Sequence, residues 1–232
     1  MNNIILHHHT GLGDHFMCNG LVHVFAHNFD EINLVCKRPH LKTITHLYQD
    51  YADKIRILPV DDEFVDSVKY AEDNDLPIYR VGFDKCDYRG FEESFYKQYD
   101  LDPELEFTNF RLPEDLSGSK EYYQKTLTRL GEDYIFVHNV SSYNVFDLKI
   151  ESDLPIHTVD KSDTDDLLDY VDTICNAKEI HVISSALHNL VFQLFIRDMI
   201  KTKEVYYHNI RKSNDGGFSI RVPEGIKVVE YE

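Results

Sequence analysis

Asn3-Ile4-Ile5-Leu6-His7-His8-His9-Thr10-Gly11-Leu12-Gly13-Asp14 opens the chain with an apolar run, three histidines and a glycine loop. The segment that follows, residues 17–29, carries Leu21, Val22, Phe25 and Phe29 at helical spacing. The order is strand, glycine loop, helix, and it continues. Strands are expected over 32–36, 54–60 and 77–83, with helices over 41–51 and 64–72 between them. Strands that alternate with helices argue for parallel βαβ units.

Residues 84–116 break the pattern. They are rich in aromatic and charged residues (Phe91, Phe95, Tyr96, Tyr99, Phe107, Phe110), with one short helical pattern over 92–99. This reads as an irregular region that ends a first lobe, and Leu116-Ser117-Gly118-Ser119 is the linker candidate. A second alternation then starts. It comprises a helix (122–130), a strand (134–140), the polar loop 141–144 and a strand (154–159). A helix with the stripe Leu167, Leu168, Val171, Ile174 and Cys175 follows, with residues 162–164 as its cap. A strand (179–183), a helix from Ala186 on and strands over 205–210 and 227–231 complete the set. The expectation is an α/β protein of two Rossmann-like lobes with parallel sheets, residues 1–116 and 117–232.

Composition narrows the function classes. The 232 residues, 42% of them hydrophobic, can fill a core of this size. No apolar run reaches membrane-spanning length, and the N-terminus lacks the basic and apolar regions of a signal peptide. The chain is therefore expected to start at Met1 and to stay in the cytoplasm, with no membrane span. Four cysteines without a C-x-x-C pair argue for reduced, mostly buried thiols. A net charge of −17 opposes nucleic-acid partners and makes any anionic ligand depend on local donors.

Gly11 and Gly13 sit where a strand ends and a helix begins, so the backbone can turn tightly and approach a ligand. Asp14 falls in the first helical turn, where the helix field is expected to keep it ionised and able to accept a proton. A plain helix-start role fits the same residue. The loop is not a dinucleotide fingerprint, because Phe16 stands where G-x-G-x-x-G needs its third glycine, and the P-loop lysine is missing. In the second lobe, Ile180-His181-Val182-Ile183-Ser184-Ser185-Ala186-Leu187-His188 repeats the logic. Ser184 and Ser185 fit either capping alone or a diphosphate held with the helix N–H groups.

The segment from Gly11 to Leu21 resembles the opening of the heptosyltransferase-like, GT-B-type glycosyltransferases (glycosyltransferase family 9-like). Residues 177–190 resemble their later strand, serine turn and histidine-bearing helix, and Phe91-Glu92-Glu93-Ser94-Phe95-Tyr96 resembles an acceptor-lobe segment. The resemblance implies a transferase working on a nucleotide-sugar donor and a saccharide acceptor without a metal or other cofactor. It makes Asp14 the general base. It assigns Ser184, Ser185 and His188 to the donor phosphates, together with Ser141, Ser142 and Lys149 in the loop after the strand 134–140. His138 and Asn139 occupy the corresponding strand end. The chain is much shorter than a usual two-lobed transferase, and the second turn lacks the family's glycine.

On the acceptor side the candidates are Gly11, Gly13, His9, His15, Tyr88 and Arg89, at the strand end or in the irregular region. His7, His8 and His9 alternate in an extended chain, so the trio does not chelate a metal from one face. The runs 61–63 and 163–166 read as solvated charge, with Asp163-Thr164-Asp165 as a cap rather than a metal-binding D-x-D. Residues 214–217 read as a turn. A nucleotide-sugar epimerase, a pyruvyl transferase, or a catalytically silent nucleotide- or carbohydrate-binding protein are the competing classes.

Overall fold

The computed structural model describes residues 2–141, 144–160, 162–210 and 220–231, with Tyr88 described by its backbone alone. Ser142, the Tyr88 side chain and the expected turn at 214–217 lie outside the described residues. The chain is a mixed α/β protein whose described strands form two parallel sheets. It divides into two compact units, one built on Met1–Glu114 and one on Asp115–Gly217 and Arg221–Glu232. No helix of the described residues is long and apolar enough to cross a membrane.

In unit 1 the order is β1 (Asn3–His8), α1 (Leu12–Met17), α2 (Asn19–Asn28), β2 (Glu31–Lys37), α3 (Leu41–Leu47), β3 (Ile55–Val60), α4 (Glu63–Asn74), β4 (Ile78–Val81), α5 (Phe91–Lys97) and α6 (Leu105–Thr108). The sheet runs β3-β2-β1-β4, every pair parallel. Residues Ile4 to His8 are fully buried, as a central strand covered on both faces requires. The chain moves from β1 to β2 on one side and later returns to β4 on the other. The direction of winding therefore reverses between the C-terminal ends of β1 and β4. Ligands of open parallel sheets bind at such a switch point.

The single helix expected over 17–29 is two helices, the first starting at Leu12. They meet at Cys18, whose N–H bonds the Asp14 carbonyl at 2.8 Å. Gly20 lets α2 approach α6, because a Cβ there would lie 2.0 Å from the Leu105 carbonyl oxygen. The strand expected over 77–83 stops at Val81, because Gly82 (φ 89°) and Phe83 (φ 58°) turn the chain out of extended geometry. Residues expected to be irregular hold α5 and α6, and Phe95, Tyr96, Phe107 and Phe110 are core.

Unit 2 contains α7 (Ser117–Leu130), β5 (Ile135–His138), β6 (Ile156–Thr158), α8 (Val171–Asn176), β7 (Glu179–Ile183), α9 (Ala186–Ile196), β8 (Val205–Asn209) and β9 (Lys227–Glu230). Its sheet runs β6-β5-β7-β8-β9, again all parallel, so its switch point lies between β5 and β7. The proposed linker at 116–119 is instead the start of α7. Ser119 is buried and its Oγ accepts the Asp172 N–H at 2.7 Å, while a Cβ at Gly118 would lie 2.4 Å from Asp169 Oδ1. The small residues there serve close packing, not flexibility. The cap expected at 162–164 belongs to Asp166, whose Oδ1 accepts the Leu168 N–H at 3.0 Å. Asp166 is buried, so the run 163–166 is not wholly solvated.

Candidate functional site

The C-terminal edge of the unit 1 sheet gathers side chains from three βα junctions. After β1, Gly11 caps α1 with an ordinary φ of −63°, and its N–H donates to Asp14 Oδ2 at 3.1 Å. Gly11 is needed for space rather than for conformation: a Cβ would lie 2.5 Å from that oxygen. Gly13 is the second residue of α1 and is partly exposed. The helix field was expected to keep Asp14 ionised, but desolvation acts against it. Burial raises its pKa from 3.8 to about 7, against the pull of the Gly11 N–H and Lys37, and Glu63 adds to the rise. Asp14 thus exchanges its proton near neutral pH, which suits a general base.

Lys37 ends β2 and pairs with Glu63, the first residue of α4, at 3.3 Å. The Thr10 hydroxyl donates to the same Glu63 oxygen, and the His40 ring bonds the Thr10 carbonyl at 3.1 Å. A carbonyl only accepts, so His40 carries its proton on Nδ1. Glu63 was expected on a solvated face. Its place at a helix start just beyond a parallel strand, matching that of Asp14 after β1, is the signal that would have found it.

His8 and His15 form a buried pair, edge to face, with ring centroids 4.4 Å apart. Burial, followed by the nearby His8 and His40, holds the His15 pKa well below its usual value. Neither His15 nitrogen has a hydrogen-bond partner among the described residues. Such groups cost about 1–3 kcal/mol each when left unmet. His9 is clamped instead: its Nε2 accepts the Phe83 N–H at 2.8 Å, and its ring packs on Phe83, Phe91 and Phe95. His7 packs on Phe83 as well, so His7 and His9 share a side while His8 faces His15. Arg89 is exposed, and its backbone N–H donates to Asp87 Oδ1 at 3.0 Å.

No family model, curated protein or solved structure matches this chain. Among the described residues, no group of three or more His, Cys, Asp or Glu is placed to hold a metal ion.

At the unit 2 switch point, His138 ends β5 and is buried. The Asn139 amide donates to the Phe146 carbonyl at 2.7 Å, which orients the side chain and leaves its buried Oδ1 without a partner among the described residues. Ser141 Oγ accepts the Asn144 N–H at 3.0 Å. The Lys149 ammonium lies 5.0 Å from the centre of the Tyr231 ring. After β7, Ser185 caps α9: its Oγ accepts the His188 N–H at 3.4 Å, and His188 Nδ1 accepts the Ser185 N–H at 2.8 Å. His188 is buried against Phe192 and Tyr207, not turned to solvent. Ser184 is the first residue beyond β7 and is partly exposed.

Proposed function

We propose that the protein is a metal-independent glycosyltransferase of GT-B type, built from two Rossmann-like lobes and acting in the cytoplasm. It moves a sugar from a nucleotide-sugar to a saccharide acceptor held on unit 1, with Asp14 as the general base. The observation that carries this reading is Asp14 itself: a partly exposed carboxyl at the β1/β4 switch point, bonded to the Gly11 N–H at 3.1 Å, whose pKa desolvation raises to about 7. An acceptor hydroxyl gives up its proton as the new glycosidic bond forms, and such a carboxylate receives it. Ser184, Asn139 and the backbone at the start of α9 lie at the matching edge of unit 2, the place for the donor phosphates.

A second reading, a nucleotide- or carbohydrate-binding protein without transferase activity, draws on the unit 2 hydrogen bonds. Ser141 Oγ is bonded to Asn144, and Ser185 and His188 bond each other. Thermal shift with UDP, GDP, ADP and CMP, followed by sugar hydrolysis and transfer assays, separates the two. Stabilisation by one nucleotide together with transfer that Asp14→Asn abolishes supports the enzyme. Stabilisation without turnover supports the binding protein, and no stabilisation by any nucleotide removes the nucleotide-sugar donor.

A further inference from the structure

A chain of hydrogen bonds crosses three neighbouring strands of unit 2, β7, β8 and β9, and uses neither Ser184 nor Ser185. Ser152 Oγ donates to Glu179 Oε1 at 3.0 Å, and Glu179 Oε2 lies 3.4 Å from His181 Nε2. His181 Nδ1 is 2.9 Å from His208 Nε2, and His208 Nδ1 is 2.7 Å from the Tyr231 hydroxyl. The Lys149 backbone N–H donates to that hydroxyl oxygen at 3.0 Å. Tyr206 stacks on His181 with ring centroids 4.6 Å apart and planes 2° from parallel, which fixes the plane of the imidazole.

Valence settles where the hydrogens sit. A carboxylate accepts and does not donate, so His181 carries its hydrogen on Nε2 and presents Nδ1 as an acceptor. His208 must then donate from Nε2, and its Nδ1 accepts the Tyr231 O–H. Burial keeps both rings neutral, lowering His181 and bringing His208 to about 4. All the hydrogens point from Tyr231 toward Glu179. The ends of the chain differ in place. Tyr231 lies just past β9, at the ligand-binding edge of a parallel sheet, whereas Glu179 begins β7 at the opposite edge. His208 is fully buried and His181 nearly so, at strand positions where apolar residues would cost less.

We propose that Glu179, His181, His208 and Tyr231 form a proton relay that makes the Tyr231 hydroxyl an acid–base group for a hydroxyl-bearing ligand. The ligand O–H bond breaks and its proton joins the Tyr231 oxygen, whose own proton passes to His208 Nδ1. The Nε2 proton of His208 moves to His181 Nδ1, and the Nε2 proton of His181 moves to Glu179. One ligand proton is lost and one carboxyl proton is gained. The hydrogens now point toward Tyr231, and reverse passage returns the proton to the product. The relay stands independently of the role given to Asp14.

The test uses an aryl sulfonyl fluoride on the full chain, with modification of Tyr231 followed by mass spectrometry. The S–O bond forms as fluoride leaves and the phenol proton enters the relay. Wild-type Tyr231 is expected to react at least about tenfold faster than Tyr123, which is partly exposed and outside the chain, and Glu179→Gln to erase that advantage. Plain contact without relay predicts the opposite sign, since removing a negative charge favours the phenolate. An unchanged or faster reaction in Glu179→Gln overturns the proposal, as does a wild-type Tyr231 no more reactive than Tyr123. Nitrogen-15 NMR of the wild type decides the matter without any variant. Both His181 and His208 must be Nε2–H tautomers, and an Nδ1–H form of either ring overturns the relay.

Discussion

The Gly11 N–H donates to Asp14 Oδ2 at 3.1 Å, which folds the carboxyl back over the cap of its own helix. The bond favours the ionised form, yet burial outweighs it and the group titrates near pH 7. A helix start that would ordinarily stabilise a carboxylate has become a place where the carboxyl exchanges its proton. That combination costs stability and lets Asp14 take up or release a proton near neutral pH.

Asp14 therefore leaves a signature in stability against pH. Between pH 3.8 and about 7 the folded chain holds a proton that the unfolded chain has released. Stability contributed by the neutral carboxyl falls as pH rises through that window, by at most about 1.4 kcal/mol per unit, and the loss is complete above it. Asp14→Asn keeps an oxygen for the Gly11 N–H and cannot ionise. Urea titrations should find it equal to wild type near pH 4 and more stable by roughly 1–3 kcal/mol at pH 8, with transfer abolished. Equal stabilities at both pH values would remove the raised carboxyl.

Two glycines are expected to fail differently. Gly11→Ala puts a Cβ against Asp14 Oδ2 and displaces the carboxyl, so activity should drop by about tenfold or more with a stability loss of only about 1 kcal/mol. Gly82 has a φ of 89°, and a Cβ there would lie 2.8 Å from both the His9 and the Phe95 ring. Gly82→Ala should cost about 2–4 kcal/mol, read as an earlier denaturation midpoint. Similar losses of stability in the two variants would contradict the separate reasons given for each glycine.

The buried histidines pull the pH curve the other way. Burial brings His7, His8, His23, His157 and His208 to about 4 and His15 well below its usual value. Their neutral forms stabilise the fold above pH 6.5, and that contribution is lost as pH falls toward 4, because the unfolded chain takes up protons that the folded chain refuses. Because these histidines outnumber Asp14, acidification from pH 7 to 5 should destabilise the protein. His15→Phe should weaken this acid sensitivity and raise stability by about 1 kcal/mol while impairing ligand binding at unit 1. A variant that binds as well as wild type would make His15 a packing residue.

Ser185 offers a test of cap against ligand contact. Removing its hydroxyl leaves the His188 N–H without its cap, and Ser185→Ala should lower stability by about 1 kcal/mol. If the hydroxyl serves only as a cap, the thermal shift given by a binding nucleotide stays the same in the variant. A diminished shift assigns it to the donor phosphates.

Periodicity and punctuation made much of the fold legible. Apolar runs ending in glycine or serine marked β1, β5 and β7, and the alternation marked parallel sheets, because strand and helix periods are local properties of the chain. Asp14 was legible for the same reason: it follows a strand end by a short glycine turn. Its ionisation was not, since burial depends on what packs around it. Glu63 looked like one of three acidic surface residues until the sheet order brought β3 beside β2 and set it against Lys37. Residues 116–119 looked like a linker because small residues in a sequence do not reveal whether they bend freely or pack closely. The Glu179–His181–His208–Tyr231 chain joins three strands through residues up to 52 positions apart, and no local pattern contains it. The sequence by itself determined the alternation of strands and helices and most of the strand ends. Only the tertiary structure decided which side chains meet there and in which protonation state, because register and burial are set by contacts between distant segments.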